Sequence, residues 1–313
     1  MSSSVFVSGA TGYIGNGVAR AFRRAGYKVY GLLRNQAKAN KLLKDEIIPV
    51  VASVDQVDEY KDILKQCSII VDAVGYESGE AVNTFLNAAE EAGKERNKTQ
   101  DGPKIDIYKP LYIYTSGIMT YGRARNTPVD ETTRPKPFVE SMTKREQFEN
   151  KVLMTGKSSE SNLRTIVVRP GFVFGTHGGN IFHKFADIDK NADLIIDGSP
   201  DKRWSWVHVD DLGDAYTLLA RKPNLSNQLY NLALQNDSPR YQDLRVAIAK
   251  QVGWDESKNK IVYKKDCDVE PWEATVIINH FKAVDQLGWK PRREGFIENV
   301  ELYYKSYLAA RSK

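Results

Sequence analysis

Three glycines at intervals of three, Gly9, Gly12 and Gly15, stand between an apolar stretch at residues 5–8 and a run in which Val18, Ala19 and Phe22 recur at helical spacing. Glycine at the first position permits a tight turn, and at the second it lets the backbone approach a pyrophosphate. At the third it lets the helix pack against the strand, while the free N–H groups at the helix start attract anions. The chemistry on offer is the holding of a nucleotide phosphate, with Thr11, Tyr13 and Ile14 completing the loop. A second group is cationic: Arg34 directly follows the apolar stretch 27–33, and Lys38 lies one helical turn on. An acidic side chain near the end of that stretch would accept hydrogen bonds from an adenosine ribose, but this chain has Leu33 there. A guanidinium instead grips a ribose 2′-phosphate through paired charged hydrogen bonds, so the pattern favours NADP(H) over NAD(H).

The elements that must position these residues alternate along the chain. Residues 47–54 read as a third strand, whose end passes the adenine ring at Ser53 and Val54. Residues 68–74 form a near-continuous apolar run, as expected of a central parallel strand, and they bring Val74 and Gly75 beside the cofactor. A helix over 80–92 follows, then a polar connection at 93–110 that reads as an exposed insertion. The fifth strand, 111–116, delivers Thr115, Ser116 and the loop 117–122. A helix over 139–153 and a sixth strand over 164–169 come next. Strands that alternate with helices in this way predict an α/β fold with a doubly wound parallel sheet.

The motif around Gly9 to Gly15, with Thr11 inside it, resembles the TGxxGxxG of the short-chain dehydrogenase/reductase family, in particular its extended, epimerase/dehydratase-like branch. Residues 170–175 (PGFVFG) resemble that branch's RPxxVYG, and 204–211 (WSWVHVDD) its VHVxD segment. Residues 229–233 (LYNLA) and 287–291 (LGWKP) resemble later segments, so the matches run from Val5 to Pro291. The resemblance implies a Rossmann NADP-binding domain over 1–175, with 211–235 returning to it, and a smaller C-terminal substrate lobe over 176–210 and 236–313. It also implies that Pro170 and Val173 back the nicotinamide, and that the usual Asp at the adenine is replaced by Ser53. Helices of the fourth and fifth crossovers make a homodimer an expected assembly.

In that family a Ser or Thr after the fifth strand and a Tyr-x-x-x-Lys on the next helix do the proton chemistry. This chain departs from the pattern. With Lys144 as the lysine, the tyrosine position is Glu140. With Glu149 matched to the family's downstream Glu, the lysine position falls on Arg145 and the tyrosine position on Ser141. Matching Tyr121-Gly122 to the family's Tyr-Gly puts Gly117 where the hydroxyl usually sits, with Ser116 one residue early. The candidates that remain are Lys144 or Arg145 as the cation, Ser116 as a hydrogen-bond donor and Tyr121 as the proton donor.

The resemblance therefore implies an NADP(H)-dependent oxidoreductase that reduces a small or hydrophobic carbonyl or enone. Met119, Tyr121, Phe172, Phe174, Trp204 and Trp206 are expected to aim at its cleft. A non-catalytic NADP(H) sensor is the first alternative. A sugar-nucleotide epimerase or dehydratase is the second, disfavoured because Trp204 occupies the place of the arginine that holds the substrate diphosphate in those relatives. His208 reads as structural, and His177 and His183 lack further ligands at metal spacing, so no metal site is expected.

Composition agrees with this reading. With 313 residues, 41% of them hydrophobic and 27% charged, the chain can bury a sizeable core. Its net charge of +5 is spread along the sequence and points to no nucleic-acid partner. No apolar run approaches the roughly 20 residues that span a bilayer, and the chain opens directly on its first strand, so a cytoplasmic protein without membrane contact is expected. Cys67 and Cys267 are too few and too far apart for a disulfide framework or a CxxC site.

Overall fold

The computed structural model describes residues 3–75, 79–98, 109–123, 127–176, 179–234, 238–264 and 273–311. The first half alternates strand and helix: β1 (Ser4–Val7), α1 (Tyr13–Arg24), β2 (Lys28–Leu33), α2 (Ala39–Lys44), β3 (Ile48–Val51), α3 (Lys61–Gln66), β4 (Ile69–Asp72), α4 (Glu80–Lys98), β5 (Leu111–Thr115), α5 (Glu140–Lys157) and β6 (Arg164–Pro170). Together with β10 (Gln228–Leu232), the six strands form a parallel seven-stranded sheet among the described residues, in the order β10-β6-β5-β4-β1-β2-β3. The direction of winding reverses between β1, whose Val5 lies beside Val29 of β2, and β4, whose Ile69 lies beside the same Val5. A crevice must open at the C-terminal ends of those two strands.

Period-two alternation sorts the core. Val5 and Val7 point to one face, against Val18 and Phe22 of α1 and Leu212 and Tyr216 of α7 (Val209–Ala220). Phe6 points to the other, against Tyr60, Phe85 and Tyr112. Helices α1 and α7 approach closely because Gly17 and Gly213 face them. A Cβ at Gly17 would lie 2.4 Å from Val209 Cγ2, and one at Gly213 2.7 Å from Ala21 Cβ.

After β6 the chain leaves the main sheet. β7 (Phe172–Phe174) pairs in parallel with β9 (Trp206–His208), and β8 (Leu194–Asp197) with β11 (Ile261–Lys264). These pairs pack with α6 (Gly179–Phe185), α8 (Tyr241–Val252) and α10 (Val300–Arg311) around a second apolar cluster that holds Phe174, Trp204, Trp206 and Phe296. The segment around residue 206 thus joins β7, whereas β10 is the strand that returns to the main sheet. Helix α9 (Phe281–Leu287) lies against β10, contributing Ala283 and Leu287 to the core of the main sheet. The expected insertion at 93–110 is also corrected: Gly93 to Lys98 continue α4, where Gly93 packs against the Asn162 carbonyl, and 99–108 lie outside the described residues. No helix among the described residues is long and apolar enough to cross a membrane.

Asp72, at the end of β4, is fully buried. It accepts hydrogen bonds from Tyr112 Oη (2.8 Å), Ser8 Oγ (3.0 Å) and the Val74 N–H (3.1 Å), and Ser8 Oγ in turn accepts from the Ala73 N–H (3.1 Å). Burial outweighs these donors and raises the carboxyl from 3.8 to about 6. Between those values the folded protein holds a proton that the unfolded chain has released, so this contribution to stability is lost as pH rises from about 4 to 6. The unfolding free energy of Asp72→Asn minus that of the wild type is expected to grow by about 2–3 kcal/mol between pH 4 and pH 7 in urea titrations. A difference independent of pH would contradict the assignment.

Candidate active site

A cleft of about 580 Å³ opens at the C-terminal ends of β1, β4, β5 and β6. Its floor is the glycine turn. Gly9 has φ +66°, and a Cβ there would lie 2.6 Å from the Ala73 carbonyl oxygen; a Cβ at Gly15 would lie 2.3 Å from the Gly9 carbonyl oxygen. Those two glycines close the turn onto β4 and α1. Gly12 is exposed and is the N-cap of α1, where no side chain caps the helix. A backbone that is open there and closed on either side is shaped to take a pyrophosphate. Tyr13 and Ile14 line the cleft, and Tyr13 Oη donates to the Gly175 carbonyl (2.6 Å), tying the turn to the segment after β7.

At the end of β2, Arg34 and Lys38 are both exposed. The structure adds a cation that the sequence reading missed: Lys41 Nζ donates to the Thr11 carbonyl at 3.2 Å, inside the glycine turn. Burial, and then the nearby charge of Lys38, lower its pKa. The one signal in the sequence was its spacing of three from Lys38 on a helix. Ser53 follows β3, and both its N–H (2.8 Å) and its Oγ (2.9 Å) donate to Gln56 Oε1. The Val54 carbonyl accepts from Tyr60 Oη, the Val74 N–H donates to Asp72, and Gly75 is exposed. Thr115 Oγ1 lies 2.7 Å from Tyr216 Oη, and Pro170 and Val173 form one wall of the cleft.

The four catalytic candidates occupy different settings: Ser116 and Arg145 line the cleft, and Lys144 and Tyr121 do not. Lys144 is exposed and pairs with Glu140 at 2.7 Å, away from the cleft. Arg145, one residue and about 100° further round the helix, lines the cleft. A Cβ at Gly117 would lie 2.9 Å from Arg145 Nη1, so the guanidinium fills the room that a side chain at 117 would take. The tyrosine position in this register is Ser141. Ser116 also lines the cleft, but its hydroxyl donates to Glu149 Oε1, which leaves no proton directed at a ligand. Glu149 is itself held by Arg169, whose Nε lies 3.1 Å from both carboxylate oxygens, and both side chains are buried. Tyr121 is 3% exposed and stacks under the Arg169 guanidinium, which sits 4.4 Å from the ring centroid. Its Oη is shared between the Asp130 carbonyl (2.9 Å) and Asn231 Oδ1 (3.0 Å), and burial raises its pKa. Its ring belongs to the apolar core of the lobe and is not among the residues that line the cleft.

The aromatic expectation is likewise divided. Met119 and Phe172 line the cleft, with Ile118, Ile181 and Phe185, whereas Tyr121, Phe174, Trp204 and Trp206 belong to the core. Trp204 donates its indole N–H to the Ala274 carbonyl (2.8 Å), and Arg203 Nη1 donates to the Ser238 carbonyl (3.3 Å). His208 Nδ1 accepts from the Asp210 N–H (3.1 Å) and caps α7. Among the described residues no three His, Cys, Asp or Glu side chains converge at metal-ligand spacing; His177 and Cys267 lie outside those residues.

Comparison with known proteins gives a consistent picture. Residues 5–233 match the NAD dependent epimerase/dehydratase family. An uncharacterized protein of Schizosaccharomyces pombe is 33% identical over 305 residues, covering 92% of this chain and 94% of its own length. The 4-hydroxy-2-methyl-3-oxo-4-farnesyl-3,4-dihydroquinoline-1-oxide ketoreductase of Stigmatella aurantiaca is 24% identical over 203 residues, which span 64% of this chain and 57% of the ketoreductase. The dTDP-glucose 4,6-dehydratase of Bacillus anthracis, solved with NAD, superposes with a TM-score of 0.78 at 17% identity, covering 98% of this chain and 97% of that one.

Because the Tyr121 hydroxyl is shared between the half-buried Asp130 carbonyl and the buried Asn231 side chain, Tyr121→Phe is expected to destabilise the protein by about 1–3 kcal/mol. Chemical denaturation of the two proteins checks this. A variant with unchanged stability would show that the hydroxyl is not held in the core.

Proposed function

The chain belongs to the NAD dependent epimerase/dehydratase family, and from that premise we propose that it is an NADP(H)-dependent oxidoreductase reducing a carbonyl or enone group on a small, largely apolar substrate. The observation that carries this reading is Arg145 seated over Gly117 at the apolar end of the cleft. The ketoreductase among the relatives and the NAD bound by the dehydratase support the reaction type and a nicotinamide dinucleotide.

When bound, the cofactor supplies a hydride. The chain supplies binding, orientation and electrostatics. The backbone of Gly9, Thr11, Gly12, Tyr13, Ile14 and Gly15 would hold the pyrophosphate, and Ser53, Val54, Val74 and Gly75 would flank the adenosine. Arg34, Lys38 and Lys41 would meet a 2′-phosphate. Thr115, Pro170 and Val173 would border the nicotinamide end. Arg145 aims positive potential at the place where negative charge develops on the substrate oxygen. A guanidinium holds its protons at working pH, so in this reading the oxygen takes its proton from water in the open cleft.

Ser141 in the tyrosine position favours a second reading, in which the protein binds NADP(H) and does not turn it over. A sugar-nucleotide substrate fits less well, because Trp204 is buried and Arg203 is committed to the Ser238 carbonyl.

Calorimetric titration is expected to show tighter binding of NADPH than of NADH. Arg34→Ala and Lys41→Ala should each weaken NADPH binding about tenfold or more, with little effect on NADH. Equal affinities for the two cofactors would rule out the specificity. A screen of aldehydes, ketones and enones with NADPH absorbance as the readout tests the reductase itself, since a sensor would bind the cofactor and consume none.

A further inference from the structure

The substrate end of the cleft carries more charge than a simple ketone requires. On α6, residues 181, 184 and 185 fall on one face, and all three line the cleft. Ile181 and Phe185 are buried, while Lys184 is exposed and carries its ammonium 6.0 Å from the Phe185 ring centroid. The charged side chains in the described lining are Arg145 and Lys184, and that lining contains no Asp or Glu. Two cationic side chains in a mostly apolar lining favour an anionic ligand over a neutral one.

The two cations differ in setting. Arg145 is half-buried, against Gly117, and in the reductase reading it faces the reacting oxygen. Lys184 sits across the apolar walls made by Ile118, Met119 and Phe172. An ammonium is a compact point charge suited to a single carboxylate, whereas a diphosphate calls for guanidinium forks, and Arg203 is not directed here.

The geometry points to an oxo acid as the substrate: its carbonyl faces Arg145, its apolar body lies along Ile118, Met119, Phe172 and Ile181, and its carboxylate is met by Lys184. This inference rests on the reductase reading above and adds the charge and shape of the molecule reduced.

The test uses the full chain with NADPH and a panel of medium-chain oxo acids, each paired with its methyl ester. The acid is expected to exceed its ester in kcat/KM by about tenfold or more. In Lys184→Gln the ratio should collapse toward one, chiefly through KM for the acid. In Lys305→Gln, a control on α10 where the lysine is exposed and paired with Glu301, the ratio should stay as in the wild type. An ester used as well as its acid, or a preference that survives Lys184→Gln, would overturn the inference; NADPH is consumed in both cases, so the reductase reading would stand. If NADPH binds and neither acids, esters nor the neutral carbonyl screen consume it, the reductase reading fails and the inference with it.

Discussion

The ion pair between Glu149 and Arg169 organises the substrate end of this molecule. Both side chains are buried, so each charge has left water at a cost of several kcal/mol, and only close pairing with further hydrogen bonds offsets that. The carboxylate collects those bonds from Arg169 Nε, Ser116 Oγ and Thr120 Oγ1. Removing either partner would strand the other, a loss on the order of 3–5 kcal/mol. One consequence is that the loop after β5 is committed to structure: its serine donates inward, and its tyrosine lies beneath the arginine. Another is the setting of α5. Glu149 and Arg145 stand four residues apart on one face, so a buried Glu149 turns Arg145 toward the cleft and leaves Lys144 in solvent.

This division explains which parts could be read from the chain. The dinucleotide end is made largely of backbone, and its glycines mark it because the turn tolerates little else: Gly9 has a positive φ, and a Cβ on Gly15 would collide with the Gly9 carbonyl. The alternation of strand and helix is local as well, and the buried strands carry it in their apolar runs. Lys41 escaped notice because its contact with Thr11 spans thirty residues and depends on how α2 folds back over the turn.

The substrate end was less legible because its side chains come from four separate elements. A slip of one residue on α5 separates Lys144 from Arg145 by about 100°, and composition does not say which of them faces inward. That is decided by Arg169, twenty residues from Glu149 and on a different element. Tyr121 reads as a cleft residue from its place after a strand, yet its partners are Asp130, Arg169 and Asn231. Trp204 and Trp206 share a face, as alternation requires, but alternation does not reveal that the face meets Phe172 and Phe296 in the core of the lobe.

In the proposed reductase, the guanidinium over Gly117 takes over the electrostatic work that a hydroxyl and a lysine share in the family this chain resembles. The measurement that bears most directly on this is kcat for Arg145→Met and Gly117→Ala at saturating NADPH, with cofactor affinity determined alongside. Arg145→Met should lose about 10²–10³ in kcat, and Gly117→Ala, whose new methyl group would displace Nη1 while the fold stays intact, should lose less. Full turnover in Arg145→Met, with NADPH still bound, would contradict the account.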